Sequence, residues 1–152
     1  MQRKNAAPMT VLSAKQELTI PQVGIYAEQF CAQMMEEVRR YGLQVAGPWV
    51  FISYNLPENG QQRYTAEFCL PISNAETYAG NRFAVRTLDS FPCAYAEYSG
   101  KLDQLFIEGY QPLIRKIVAA KLHVTGESRE IYHCWASPQS ADNRIEIQFG
   151  IA

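Results

Sequence analysis

Set against itself with a shift of 79 residues, which lays Gly47 over Gly126, the sequence shows a weak internal duplication. Met34, Met35 and Val38 then fall on Leu113, Ile114 and Ile117, Leu43 falls on Leu122, and Glu67 falls on Glu146. The two glutamates sit inside the matching segments AEFCLPI and IEIQFGI, and Tyr54 meets Tyr132 after a one-residue slip. A duplication constrains the fold more than any single motif does. Whatever architecture one half adopts, the other must adopt too, and halves of about 70 residues bury too little surface to stand alone.

Within each half the patterns run in the same order. In the first, Thr10 to Ile20 (TVLSAKQELTI) has strand-like residues. Tyr26, Phe30, Met34, Val38 and Tyr41 then recur at helical spacing, predicting a helix over Gln22 to Tyr41 that ends at Gly42. Trp49 to Leu56 (WVFISYNL) and Arg63 to Ile72 (RYTAEFCLPI) flank Pro57, Asn59 and Gly60 and predict a hairpin. The second half predicts strands over Phe83 to Leu88 and Ala94 to Tyr98, a helix over Leu102 to Leu122, and strands over Arg129 to Trp135 and Arg144 to Ile151. Pro112 lies inside that helix and should kink it near Glu108 and Gly109. Ser73 to Gly80 reads as the connector, and residues 1–8 as a flexible N-terminus. The expected fold is therefore α+β, a single domain over residues 9–152. It comprises two pseudo-twofold-related β-α-β-β halves, about 9–73 and 81–152, with antiparallel sheets, one long helix each and a cleft between them.

Composition removes several functions. The 152 residues carry 14 Lys and Arg against 15 Asp and Glu, a formal net charge of -1, so no strong field favours direct binding to nucleic acid. No apolar run approaches the roughly 18 residues of a membrane span, and no hydrophobic stretch follows MQRKNAAP to make a signal peptide, so a cytoplasmic protein with no membrane partner is expected. Cys31, Cys69, Cys93 and Cys134 form no C-x-x-C pair and read as reduced, largely buried thiols. Cys134 has His133 as neighbour, but adjacent strand residues face opposite ways, which argues against a catalytic dyad. No phosphate loop, dinucleotide fingerprint, nucleophile elbow or H-E-x-x-H run is present. His123 and His133 lack acids or thiols at ligand spacing, so neither a metal nor a cofactor is expected.

Carboxylates and aromatic residues on strands remain. Alternation puts Glu67 and Glu146 on the face turned away from the helix-covered core, where the ordinary reading is a solvent-facing acid. Glu67 shares its face with Cys69, and Glu146 has Arg144 and Gln148 on its own. Glu130 stands alone among the aromatics of REIYHCW, near Tyr132 and Trp135. Two readings fit it: an acid in an aromatic-lined pocket, suited to an organic cation or to general acid–base work, or an ordinary strand acid paired with Arg129 or a neighbour. Nine Tyr, seven Phe and two Trp exceed what a core of this size needs and favour the pocket.

The segments FAVRTLDSFPCAYAEYSG, REIYHCW and IEIQFGI, with Tyr110 and Leu113 between them, resemble the GyrI-like small-molecule-binding family. Its members include the effector-binding domains of AraC-type and MerR-type multidrug-responsive regulators. GPWVFISYN and YTAEFCLPI extend the likeness to the first half, so it covers roughly Met9 to Ala152. The resemblance implies that Glu130 and Tyr132 match the family's cavity glutamate and the tyrosine two residues on, and, less specifically, that Tyr54 and Glu67 match in the first half. With Trp135 these are the expected ligand-binding residues. The implied function is binding of a small lipophilic, cationic molecule by a stand-alone relative of regulator effector domains. A protein partner is the second candidate, because gyrase inhibitors occur in the family. Some stand-alone members are hydrolases of strained cyclic compounds, which makes Glu130 and Tyr132 the alternative catalytic pair. Only a handful of residues precede the first strand, so no helix-turn-helix is expected ahead of it. Gly150, where the family often has proline, and Trp135, before a longer loop, depart from the pattern.

Overall fold

The computed structural model describes residues 1–152. Its strands are β1 (Gln2–Ala6), β2 (Met9–Leu18), β3 (Val50–Tyr54), β4 (Tyr64–Pro71), β5 (Ala84–Leu88), β6 (Phe91–Ser99), β7 (Val124–Cys134) and β8 (Arg144–Ile151). Helix α1 spans Val23–Tyr41 and α2 spans Gln111–Ala119. The strands form one antiparallel sheet in the order β1-β6-β8-β7-β3-β4-β2-β5. No helix is long and apolar enough to cross a membrane.

Side-chain alternation gives the sheet two unlike faces. On one face, α1 packs over Leu12, Leu70, Ile72 and Phe83 through Met34, and α2 packs Leu113 and Ile117 over Ala94, Tyr98, Ile145 and Ile147. Because neighbouring strand residues point oppositely, Val11, beside Leu12, belongs to a second apolar cluster on the other face with Val50, Ile52, Cys69, Leu88 and Ile131. α1 stops at Gly42, whose φ of 64° is the left-handed conformation that closes a helix most cheaply with glycine.

The ladders carry the pseudo-twofold. Ile52 lies opposite Glu67 and Ile131 opposite Glu146, each member 79 residues from its counterpart. Arg86 of β5 lies opposite Val11, and Lys4 of β1 opposite Cys93, each member 82 residues from its counterpart. The halves thus exchange edge strands, β1 joining the second half and β5 the first. β3 and β7 meet at the centre, with Phe51 opposite Glu130. The 79-residue shift matches Tyr54 to His133, so the one-residue slip that matched Tyr54 to Tyr132 is corrected: it would put them on opposite faces.

Two further expectations are corrected and one is made more specific. Residues 1–8 are not a flexible tail, since Gln2–Ala6 adds a strand to the edge of β6. The second long helix is irregular where Pro112 is expected to disturb it: a π-helical turn, Leu105–Tyr110, runs directly into α2, and Pro112 lies in the first turn of α2. Pro112 has no N–H for the preceding turn, and the widened turn absorbs the lost bond. Glu67 and Glu146 do face away from the helices, yet they are 0% and 5% exposed, because the second apolar cluster and the edge strands cover that face.

Gly109 marks the tightest helix-to-sheet approach. A Cβ there would lie 2.7 Å from Ile147 Cδ1 and 3.2 Å from Tyr98 Cβ. On an exposed helix Gly→Ala would stabilise by up to about 1 kcal/mol, whereas overpacking a filled core costs roughly 1–3 kcal/mol. Gly109→Ala is expected to lower the urea midpoint at unchanged slope.

Candidate functional site

Glu130 sits mid-sheet, between Phe51 of β3 and Ile147 of β8. Alternation turns Ser128, Glu130 and Tyr132 to the helix side and Arg129, Ile131 and His133 to the other. Tyr132, two residues on and on the same face, donates its phenol hydrogen to Glu130 Oε1 at 2.6 Å. Tyr110, the last residue of the π-helical turn and buried, donates to Glu130 Oε2. The carboxylate has two phenol donors and no cation. Arg129 faces the other side, where it pairs with Glu127 at 2.7 Å and stacks 3.8 Å from the centroid of Phe91. The pairing of Glu130 with Arg129 is therefore corrected: its partners are the phenols of Tyr110 and Tyr132.

Rings surround this carboxylate. Phe51 and Tyr132 are 4.8 Å apart between centroids, Tyr132 and Trp135 5.6 Å in an edge-to-face pair, and Tyr110 and Phe149 5.8 Å. Burial, reinforced by the charge of Glu130, pushes the phenols of Tyr110 and Tyr132 well above the ordinary range and that of Tyr64 up to about 12. All three therefore remain protonated donors at neutral pH.

The structure brings Glu130, Tyr132 and Trp135 together and holds Tyr54 and Glu67 apart, on the other face. Glu67 accepts from Arg86 Nε and Nη2 at 2.6 and 2.7 Å, from Tyr54 at 2.6 Å and from Ser13. Burial would raise its carboxyl, but the hydrogen bonds from Arg86, Ser13 and Tyr54 outweigh it and hold the group at about 2. Such a saturated carboxylate has little left to offer a ligand. Glu146 is tied in the equivalent position, by Lys4, His133 and Gln148. Two surface clefts, of about 410 and 320 Å³, flank Ile131 on this face, and neither includes Glu130. Cys134 is exposed, whereas Cys69 and Cys93 are buried as expected.

Tyr110 is the residue that sequence reasoning left out of the site. Its signal was a phenol on the apolar face of a helix that otherwise shows Leu105, Leu113 and Ile117, a position where a buried hydroxyl needs an acceptor.

No family model and no curated protein matches the sequence significantly. Solved structures do match in shape. The C-terminal domain of EcmrR superposes with a TM-score of 0.75 at 19% identity, over 99% of this chain and 96% of that one. SAV2435 bound to tetraphenylphosphonium gives 0.66 at 14% identity, over 99% and 93%. The chain shares its fold with the C-terminal domain of EcmrR and with SAV2435. Against EcmrR in its complex with DNA the TM-score is 0.76 at 19% identity over 99% of this chain, which spans 56% of the length of the EcmrR chain. A hydrolase from Listeria innocua shares the fold more distantly, with a TM-score of 0.61 at 8% identity over 99% and 91%.

The Glu67 cluster can be tested as structure. Since its carboxyl lies at about 2 in the fold against an ordinary 4.5, its contribution is complete above about pH 4.5 and is lost as pH falls towards 2. Arg86→Ala leaves a buried carboxylate without its cation. Arg86 is itself 37% exposed, so the cost falls below that of a fully buried pair, at about 2–3 kcal/mol. Urea unfolding should show that loss at neutral pH, and circular dichroism against pH should show acid unfolding at a higher pH than in the wild type.

Proposed function

We propose that the protein binds a small lipophilic cation between α1 and α2, with Glu130 as counter-charge and Tyr110, Tyr132, Phe51 and Trp135 as its aromatic surround. The observation that carries this reading is a carboxylate ringed by aromatic side chains that receives only phenol hydrogens. An organic cation supplies what the site lacks: a positive charge without hydrogen bonds, attracted by ring faces at roughly 0.5–2 kcal/mol each. The tetraphenylphosphonium bound by SAV2435 is a ligand of that chemistry. Entry falls to the π-helical turn, whose Phe106 and Ile107 are 56% and 58% exposed and whose geometry is less regular than that of the helix it leads into. On this reading the two halves are copies of one ancestral unit, and only the second kept the cavity acid. The protein is a ligand-binding relative of regulator effector domains that makes no direct contact with nucleic acid, and its broad aromatic lining suits several drugs rather than one.

Quenching of Trp49 and Trp135 fluorescence by tetraphenylphosphonium provides the test. Glu130→Gln keeps the shape and removes the charge, so it should weaken binding by about 1.5–3 kcal/mol while leaving a neutral triarylphosphine oxide unaffected. Equal affinity of wild type and Glu130→Gln for the cation overturns the proposal.

One observation favours a second reading. Two protonated phenols on a single carboxylate also form a proton-transfer unit, and a hydrolase shares the fold. Steady turnover of strained-ring or activated substrates that disappears in Glu130→Gln would select that reading instead.

A further inference from the structure

The pseudo-twofold places Glu67 and Glu146 in equivalent positions, but their surroundings have diverged in a consistent direction. Around Glu67 stand Arg86, Tyr54, Cys69 and, directly opposite on β2, Lys15. At the equivalent positions around Glu146 stand Lys4, His133, Gln148 and, directly opposite on β6, Glu97. A guanidinium has become an amine, a phenol an imidazole, and a lysine a glutamate. Two cations for one carboxylate in the first half have become one cation for two carboxylates and an imidazole in the second.

The ligand atoms of Glu97, His133 and Glu146 all lie within 4.8 Å of one another. Glu97 and Glu146 face each other across antiparallel strands, an unfavourable arrangement for like charges without a cation between them. Glu97 has no ion-pair or hydrogen-bond partner of its own. Lys4 reaches Glu146 Oε2 at 2.6 Å, yet it comes from the edge strand and its side chain is 37% exposed, so it is free to withdraw towards the Tyr95 ring, 4.3 Å away. Beside the cluster, Gln148 and Arg129, directly opposite it on β7, each keep one buried polar atom without a partner. Gln148, only 4% exposed, donates its amide to Glu146 Oε2 at 2.6 Å but leaves its own buried carbonyl oxygen without a donor. His133, Glu146, Gln148 and Lys4 all line the 320 Å³ cleft.

The geometry points to a divalent-metal site formed by Glu97, His133 and Glu146, with Lys4 as an internal competitor for the ion. One imidazole and two carboxylates suit Zn²⁺, whose bonds of about 2.0–2.2 Å require the three donors to close in slightly. A water completing the tetrahedron can donate to the Gln148 carbonyl, and Gln148 in turn holds Glu146 in place. Rotation of the exposed Glu97 side chain and withdrawal of Lys4 supply the movement. The first half, with Arg86 forked onto Glu67, cannot do the same.

Calorimetric titration of the full chain with Zn²⁺ near neutral pH, in a Cys134→Ser background that removes the exposed thiol beside His133, tests the assignment. The expected result is one equivalent bound, weakened about tenfold or more by either Glu97→Gln or His133→Ala. Lys4→Met should tighten binding, also by about tenfold, since it removes the competing charge and keeps the stem. Co²⁺ should give the visible absorption of a tetrahedral site, lost in the same two variants. Glu97 is exposed, so Glu97→Gln should keep the wild-type thermal midpoint and separate ligation from folding. No binding at millimolar Zn²⁺, binding indifferent to Glu97→Gln and His133→Ala, or weaker binding in Lys4→Met overturns the site.

Discussion

Val50–Tyr54 of β3 pair antiparallel with Glu127–Ile131 of β7, and the arrangement of everything else follows from that ladder. It joins the two β-α-β-β halves edge to edge at the pseudo-twofold, so their strands become one sheet and their helices share one face. Each bond in the ladder contributes only about 0.5–1.5 kcal/mol net, but its register decides what meets across it. Phe51 is placed beside Glu130 on the helix side, and Val50 beside Ile131 on the other. A slip of one residue would turn Glu130 into the cluster of Val11, Cys69 and Leu88 and leave Tyr110 with no acceptor.

The two faces treat their carboxylates differently. Glu67 is enclosed by a forked guanidinium, a phenol and a hydroxyl, every strong acceptor position taken. Such a pair adds little net stability, because desolvation offsets most of the attraction, but it is costly to break. Glu130 has phenols alone.

The exchange of edge strands supplies the cations. Arg86 arrives on β5, which follows the first half in sequence yet pairs with β2, and Lys4 arrives on β1, which opens the chain yet pairs with β6. Each half depends on a strand from beyond its own boundary to balance its buried acid.

Local periodicity alone determined the order of most elements, many of their limits, the end of the first helix at Gly42, and the face on which Glu67 and Glu146 lie, because a period of 2 or 3.6 is written in consecutive residues. It could not show that QRKNA forms a strand. Those residues are mostly exposed, carry no apolar alternation, and are extended only because the edge of β6 offers them backbone partners. Nor could it show that Glu67 is buried, that Tyr110 rather than Arg129 serves Glu130, or that Glu97 and His133 meet at Glu146. Glu97 and His133 are 36 positions apart in the chain and Tyr110 and Glu130 are 20 apart, and only the sheet order brings them together. A side chain's face is set by its neighbours in sequence, whereas its partner is set by which strand lies alongside, and that choice belongs to the packing of the whole chain.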